Sequence, residues 1–114
     1  MTSTRAAGAR LERRARLFYR LRGYRILAAN AWAAGHELDV VARRGSRIVV
    51  CEVKGKSAGG YGDPLEMVDG EKQRRIRRAA EAWLAAHPAL AGLEVTFDVV
   101  AVRGGRLERV ANAF

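Results

Sequence analysis

The chain has 114 residues, with 21 Lys and Arg against 12 Asp and Glu, a net charge of +9, and 49 % hydrophobic residues. That length holds one domain with one core, residues 1–114, and no apolar run approaches the ~20 residues of a membrane span. The single cysteine, Cys51, excludes an internal disulfide framework and a multi-cysteine zinc site.

Residues 1–25 hold eight arginines and one acid, Glu12. Clustered positive charge is the footprint of a polyanion partner, most often nucleic acid. A compositional bias toward arginine swaps it for lysine without altering net charge, so it does not account for the excess. The amino-terminal stretch also lacks the apolar core of a secretory signal, so a cytoplasmic protein with no membrane partner is expected.

In chain order, Leu11, Ala15, Phe18 and Tyr19 follow helical spacing from about Ala7 to Arg22, and Gly23 suits the end of that helix. "YRILAANAW" reads as a first strand. "HELDVVARR", a turn at Gly45-Ser46 and "RIVVCEVKGK" read as a β-hairpin. "SAGGYGDP" is a glycine-rich loop, and Asp63-Pro64-Leu65-Glu66 has the form of a helix start. A stronger helix follows Asp69, where Ile76, Ala79, Ala80, Trp83 and Leu84 form an apolar stripe with Arg74, Arg75, Arg77 and Arg78 off it. "LEVTFDVVAV" and "RLERVANA" form a last strand pair around Gly104-Gly105. The order α-β-β-β-α-β-β predicts an α/β fold, a mixed sheet with helices packed on it.

One strand breaks its own pattern. Alternation places Ile48, Val50, Glu52 and Lys54 on one face, which opens apolar and closes on an acid and a base. With a two-residue turn at Gly45-Ser46, Asp39 falls opposite Glu52 and Glu37 opposite Lys54. Opposed carboxylates repel unless a cation lies between them, and all-oxygen ligands suit Mg²⁺ or Mn²⁺. Lys54, two residues beyond Glu52, adds an ammonium for whatever the metal holds. Metal, carboxylates and lysine together make a phosphodiester-hydrolysing set. The alternative is a solvent-facing strand end with a Glu37–Lys54 ion pair.

Other residues carry two readings each. Lys72 extends the apolar stripe backwards and so points at the sheet, toward a phosphate or as a snorkelling lysine. Tyr61 stacks on a base or covers the core. His36 is a ligand or a surface histidine, and Asp98 supports the site or pairs with an arginine. Cys51 points opposite to Glu52 as a small buried hydrophobe, and His87 marks a helix end.

Asp39, followed by Glu52-Val53-Lys54 in the next strand, resembles the motif of the PD-(D/E)XK nuclease superfamily, and the α-β-β-β-α-β order resembles its restriction-endonuclease-like core. More closely, "LERRARLFYRLRGYRILAAN", "ELDVVAR", "VVCEVKGKSAGGYGDPLEMV", "EKQRRIRRAAEAWL" and "FDVVAV" resemble the YraN-like family of small bacterial proteins, related to archaeal Holliday-junction resolvases. That resemblance implies Asp39 and Glu52 as metal carboxylates, Glu12 as a third ligand from the first helix, and Lys54 as the catalytic lysine. Glu37 and Gln73 would support the site. Arg13, Arg14, Arg16, Lys56, Tyr61, Lys72 and Arg75 would contact nucleic acid, and a homodimer follows by analogy with the resolvases. His36 and Trp32 depart from the family pattern, which has glycine and arginine there. The expected function is a metal-dependent endonuclease acting on DNA, with Mg²⁺ or Mn²⁺. The competing expectations are a nucleic-acid-binding module with an idle nuclease site and a basic scaffold for protein contacts.

Overall fold

The computed structural model describes residues 4–56 and 68–114, with side chains for 7–55 and 68–114. Its elements are α1 (Thr4–Leu21), β1 (Arg25–Ala33), β2 (His36–Arg44), β3 (Arg47–Lys56), α2 (Gly70–Ala85), β4 (Glu94–Arg103) and β5 (Arg106–Val110), with a 3₁₀ turn at Pro88–Leu90. This is the expected α-β-β-β-α-β-β order. The helix start expected at Asp63-Pro64-Leu65-Glu66 and the loop residue Tyr61 lie outside the described residues.

Local chemistry explains the element edges. Asp69 caps α2, its carboxylate accepting the Lys72 backbone N–H at 2.8 Å, which satisfies one of the helix's free donors. The β2–β3 turn places Gly45 at φ 61°, where a residue with a Cβ would be strained, and closes with Arg44 paired to Arg47. The paired residues then run as the two-residue turn requires, up to Val40 opposite Cys51.

The five strands lie in chain order, β1-β2-β3-β4-β5, and only β3 and β4 are parallel. Alternate residues of β3 enter different cores. Ile48 and Val50 pack with Ile76, Ala79, Ala80 and Trp83 of α2, whereas Val49 and Cys51 pack with Ala15 and Tyr19 of α1. Each helix therefore covers one face of the sheet, and among the described residues no helix is long and apolar enough to cross a membrane. The α2 stripe buries as its spacing predicts, with Arg74, Arg75, Arg77 and Arg78 exposed.

Two contacts fix α1 on the sheet. Tyr19 donates its hydroxyl to Asp98 Oδ2 at 2.7 Å, and the same carboxylate takes Arg109 Nε at 2.9 Å and the Asn112 backbone N–H at 3.0 Å. Of the two readings for Asp98, the arginine pairing holds, and at 1 % exposure it joins α1, β4 and the chain after β5. Farther along β3, Leu11 Cδ1 lies only 2.5 Å from where a Cβ on Gly55 would stand. The missing side chain lets α1 settle close to the strand, one residue from Glu12.

Candidate metal centre

The site begins where the alternation of β2 slips. Val41 belongs to the α2-side core and Val40 to the α1-side core, as period-two geometry demands, yet Leu38 also belongs to the α2 side. One residue is in excess between Leu38 and Val40, and that residue is Asp39. At the same level of β1, between Ala29 opposite Val40 and Ala31 opposite Leu38, Asn30 adopts φ 53°. Asparagine tolerates this left-handed conformation better than most residues, and its place in mid-strand marks a local kink. The sequence signal for it was an Asn inside an apolar strand, which the strand reading passed over.

The β2–β3 pairing stops short of Asp39, so Asp39 and Glu52 do not form the ladder pair expected of them. Asp39 Oδ2 instead accepts the Val53 backbone N–H at 2.9 Å, taking the place of a strand carbonyl. The kink also leaves it among acids. Glu12 from α1, Glu37 from β2 and Asp39 each offer an oxygen, all within 4.8 Å of one another, and they form the one such group among the described residues. A cleft of about 570 Å³ lined by Gly8, Ala9, Glu12, Asn30 and Glu37 opens beside them. Glu37, expected in a supporting role, thus stands within that acidic group.

Burial and the nearby Glu52 carboxylate push Asp39 up to about 7, with Glu12 and Glu37 adding to the rise and the Val53 N–H opposing it. Removing a carboxylate from water disfavours its charged form, and each neighbouring negative charge disfavours it further. A proton or a cation relieves that repulsion. Three carboxylates with no nitrogen or sulfur donor fit a hard divalent ion, so the residues present suit Mg²⁺ or Mn²⁺ and not zinc.

Glu52, only 6 % exposed, has other company. Its Oε1 lies 3.2 Å from Lys72 Nζ and 3.5 Å from Lys54 Nζ, so two ammoniums share one carboxylate on the α2 face. Lys72 does point at the sheet, as the extended stripe of α2 predicts, and Lys54 pairs with Glu52 rather than with Glu37. Burial and the adjacent Lys72 hold Lys54 below the ordinary lysine range, although Glu52 pulls the other way.

The remaining expected residues are spread more widely. Gln73 Nε2 donates to the Val68 carbonyl at 3.0 Å and so ties the start of α2. Arg75 pairs with Glu71 one turn back on the exposed face. Arg13 and Arg14 are exposed, and with Arg10 and Arg20 they flank a shallow basic depression on the outer side of α1. Arg16 is half-buried, while His36 stands at the head of β2 opposite Ala33 and outside the acidic group. The side chain of Lys56 lies outside the described residues, as does Tyr61.

Among the described residues, a mixed sheet with one helix on each face, and acids collected where the pairing of β2 and β3 ends, defines a small basic α/β protein with a candidate divalent-cation centre. The chain belongs to the family described as Uncharacterised protein family UPF0102, the YraN-like family, whose sequence profile matches residues 11–102. It is 47 % identical over 90 residues to a UPF0102 protein of Moorella thermoacetica, covering 79 % of this chain and 74 % of that one. It is also 40 % identical over 113 residues to a UPF0102 protein of Methylorubrum extorquens, covering 98 % and 87 %. With a UPF0102 protein of Magnetococcus marinus it shares 41 % identity over 97 residues, 82 % and 78 % of the two chains. Glu12, Glu37, Asp39, Glu52, Lys54 and Lys72 all fall inside the matched segment.

Proposed function

We propose that the protein is a metal-dependent endonuclease that hydrolyses phosphodiester bonds of DNA, with branched or otherwise structured DNA as its substrate. The observation that carries this reading is the juxtaposition of Glu12, Glu37 and Asp39, within 4.8 Å of one another, with a lysine-bearing Glu52 on the adjoining strand. Glu12, Glu37 and Asp39 would hold Mg²⁺ or Mn²⁺, and the ion would supply Lewis-acid polarisation of a phosphoryl oxygen. Glu52 would join as a ligand, as the family resemblance implies, by exchanging its lysines for the ion. The Val53 N–H fixes the Asp39 carboxylate. Lys54, held below its ordinary range, can give up a proton from Nζ to a leaving oxygen, while Lys72 keeps positive charge against the phosphate. Arg13 and Arg14 offer phosphate contacts on the outer side of α1.

A second reading, a DNA-binding module with an idle site, draws on one observation. Two lysines already neutralise Glu52, so that carboxylate is satisfied without an ion. Purified protein incubated with branched, single-stranded and duplex DNA in Mg²⁺, Mn²⁺ or EDTA separates the two. The nuclease reading expects cleavage only with a divalent ion, abolished in Asp39→Asn and slowed roughly 10²–10⁴-fold in Lys54→Ala, with binding largely kept in both. Joint removal of Arg13, Arg14 and Arg16 should weaken binding to all sequences and flatten its salt dependence. Tight binding with no cleavage on any DNA gives the idle module; cleavage that survives in Asp39→Asn sinks the proposed site.

A further inference from the structure

Trp32 is an indole that joins neither core among the described residues. It is 70 % exposed, whereas the other tryptophan, Trp83, is 8 % exposed and stacked on His87 at 3.9 Å between ring centroids. Trp32 lies on β1, an edge strand of the sheet, directly opposite Glu37. Directly opposed residues share a face, with Cβ atoms about 5 Å apart. Ala31 and Ala33 pack on the α2 side, so Trp32 stands on the α1 side with Glu37 and Glu12. An exposed aromatic ring therefore flanks the acidic group at a distance of one cross-strand neighbour.

We infer that Trp32 is a stacking platform for an unpaired nucleobase, and that the site takes single-stranded or locally unpaired DNA rather than continuous duplex. The inference rests on the nuclease reading of the acidic group. In a nucleotide the base stands one sugar away from its phosphate. A phosphate held at Glu12, Glu37 and Asp39 through a cation would bring a base of the same strand to the neighbouring indole. Inside a duplex both faces of each base are covered by neighbours, so a ring can stack only on a base that is unpaired, flipped or terminal. Stacking on an aromatic ring needs no particular base, so binding at Trp32 is expected to be independent of sequence.

A protein partner fits this surface less well. The strand neighbours of Trp32 on its face are polar, Asn30 and Glu37, and among the described residues the other exposed large hydrophobics, Leu17 and Leu21, lie toward the carboxyl end of α1. That end leads into the start of β1 at Arg25, seven residues or roughly 23 Å along the strand from Trp32. A lone ring with polar neighbours falls short of the ~800 Å² per partner of a stable interface. The net charge of +9 favours a polyanion instead.

Because the chain has two tryptophans and Trp83 is buried, quenching of intrinsic fluorescence by bound DNA reports largely on Trp32, and Trp32→Ala gives the Trp83 background. The protein is titrated, with Ca²⁺ present, with oligodeoxythymidylate, an abasic oligomer of equal length, and a duplex closed by hairpins at both ends. Anisotropy of labelled DNA measures binding separately. Quenching is expected with oligodeoxythymidylate and not with the abasic oligomer or the closed duplex. Trp32→Ala should weaken single-strand binding about tenfold, within the range of one lost base–aromatic stack, and leave closed-duplex binding unchanged. Trp32→Phe should retain most of the single-strand affinity. Equal quenching by the abasic oligomer, or equal affinity losses for single strand and duplex, overturns the stacking inference while leaving the nuclease reading intact. Wild type that binds none of the three DNAs overturns both.

Discussion

Asp39→Asn is expected to make the metal-free protein more stable at pH 8, by about 2 kcal/mol, and to leave it unchanged near pH 4. The reason is the raised Asp39 pKa of about 7, against an ordinary 3.8. Between those values the folded protein binds a proton that the unfolded chain does not. Stability contributed by that proton is present below the unfolded value and is lost as pH rises through the folded one. At about 1.4 kcal/mol per tenfold change in proton affinity the loss has a ceiling of ~4 kcal/mol, which partial exposure roughly halves. Asparagine keeps an oxygen for the Val53 N–H and removes the charge. Urea titrations of wild type and variant at pH 4, 6 and 8 measure the effect, and a difference that does not vary with pH would falsify the buried, acid-crowded setting of Asp39. The same melts with Mn²⁺ extend the test. A site that binds only the folded chain gains roughly 2.7 kcal/mol at 100 times Kd. Asp39→Asn and Glu37→Gln should lose most of that gain, and comparison with Glu52→Gln shows whether Glu52 enters the ligand set.

Asp98→Ala is expected to lower stability by about 3–4 kcal/mol, with the urea midpoint falling and the slope kept. Its carboxylate is 1 % exposed and meets three donors: the Tyr19 hydroxyl, the Arg109 guanidinium and the Asn112 N–H. Alanine leaves a buried hydroxyl and a half-buried cation without their acceptor, the costly way to break such a pair. Asp98→Asn keeps the shape and some of the bonds, so its loss should be smaller. Since Tyr19 lies on α1, seven residues after Glu12, loosening this anchor should also weaken Mn²⁺ binding without touching a carboxylate of the site. A loss below 1 kcal/mol for Asp98→Ala would show that the three donors find other partners.

What could be read in the sequence was whatever depends on short-range rules. The Gly45-Ser46 turn set the β2–β3 register correctly as far as Val40 and Cys51, Asp69 capped α2, and the stripe of α2 carried Lys72 to the sheet. Reading failed where one residue upset a periodic rule. The extra residue at Asp39, matched by the left-handed Asn30, turned an expected Asp39–Glu52 pair into a side chain that bonds to backbone. Beyond that point, alternation no longer says which acids share a face. It therefore left Glu37 outside the acidic group and missed that Lys54 and Lys72 both reach Glu52. The anchoring of Asp98 joins residues 79 positions apart in Tyr19 and Asp98, a separation no local pattern spans.

The order of the strands has a consequence in time. Neighbours in the sheet are neighbours in the chain, and β1, β2 and β3 close through tight hairpins, whereas β3 meets β4 only after the chain has run through α2 and the 3₁₀ turn. Contacts of short sequence separation form early, and parallel pairings closed by long loops form late. Glu12, Glu37, Asp39, Glu52 and Lys54 all lie ahead of that crossover, but Lys72 and Asp98 lie in or after it. The acids therefore gather first, and the lysine and the α1 anchor that offset them arrive in the slow step. Low pH, or Mn²⁺, should accelerate refolding by relieving the repulsion among these acids as they come together, and stopped-flow refolding at pH 5 and pH 8 measures this. Equal rates at the two pH values would place the gathering of the acids after the crossover instead of before it.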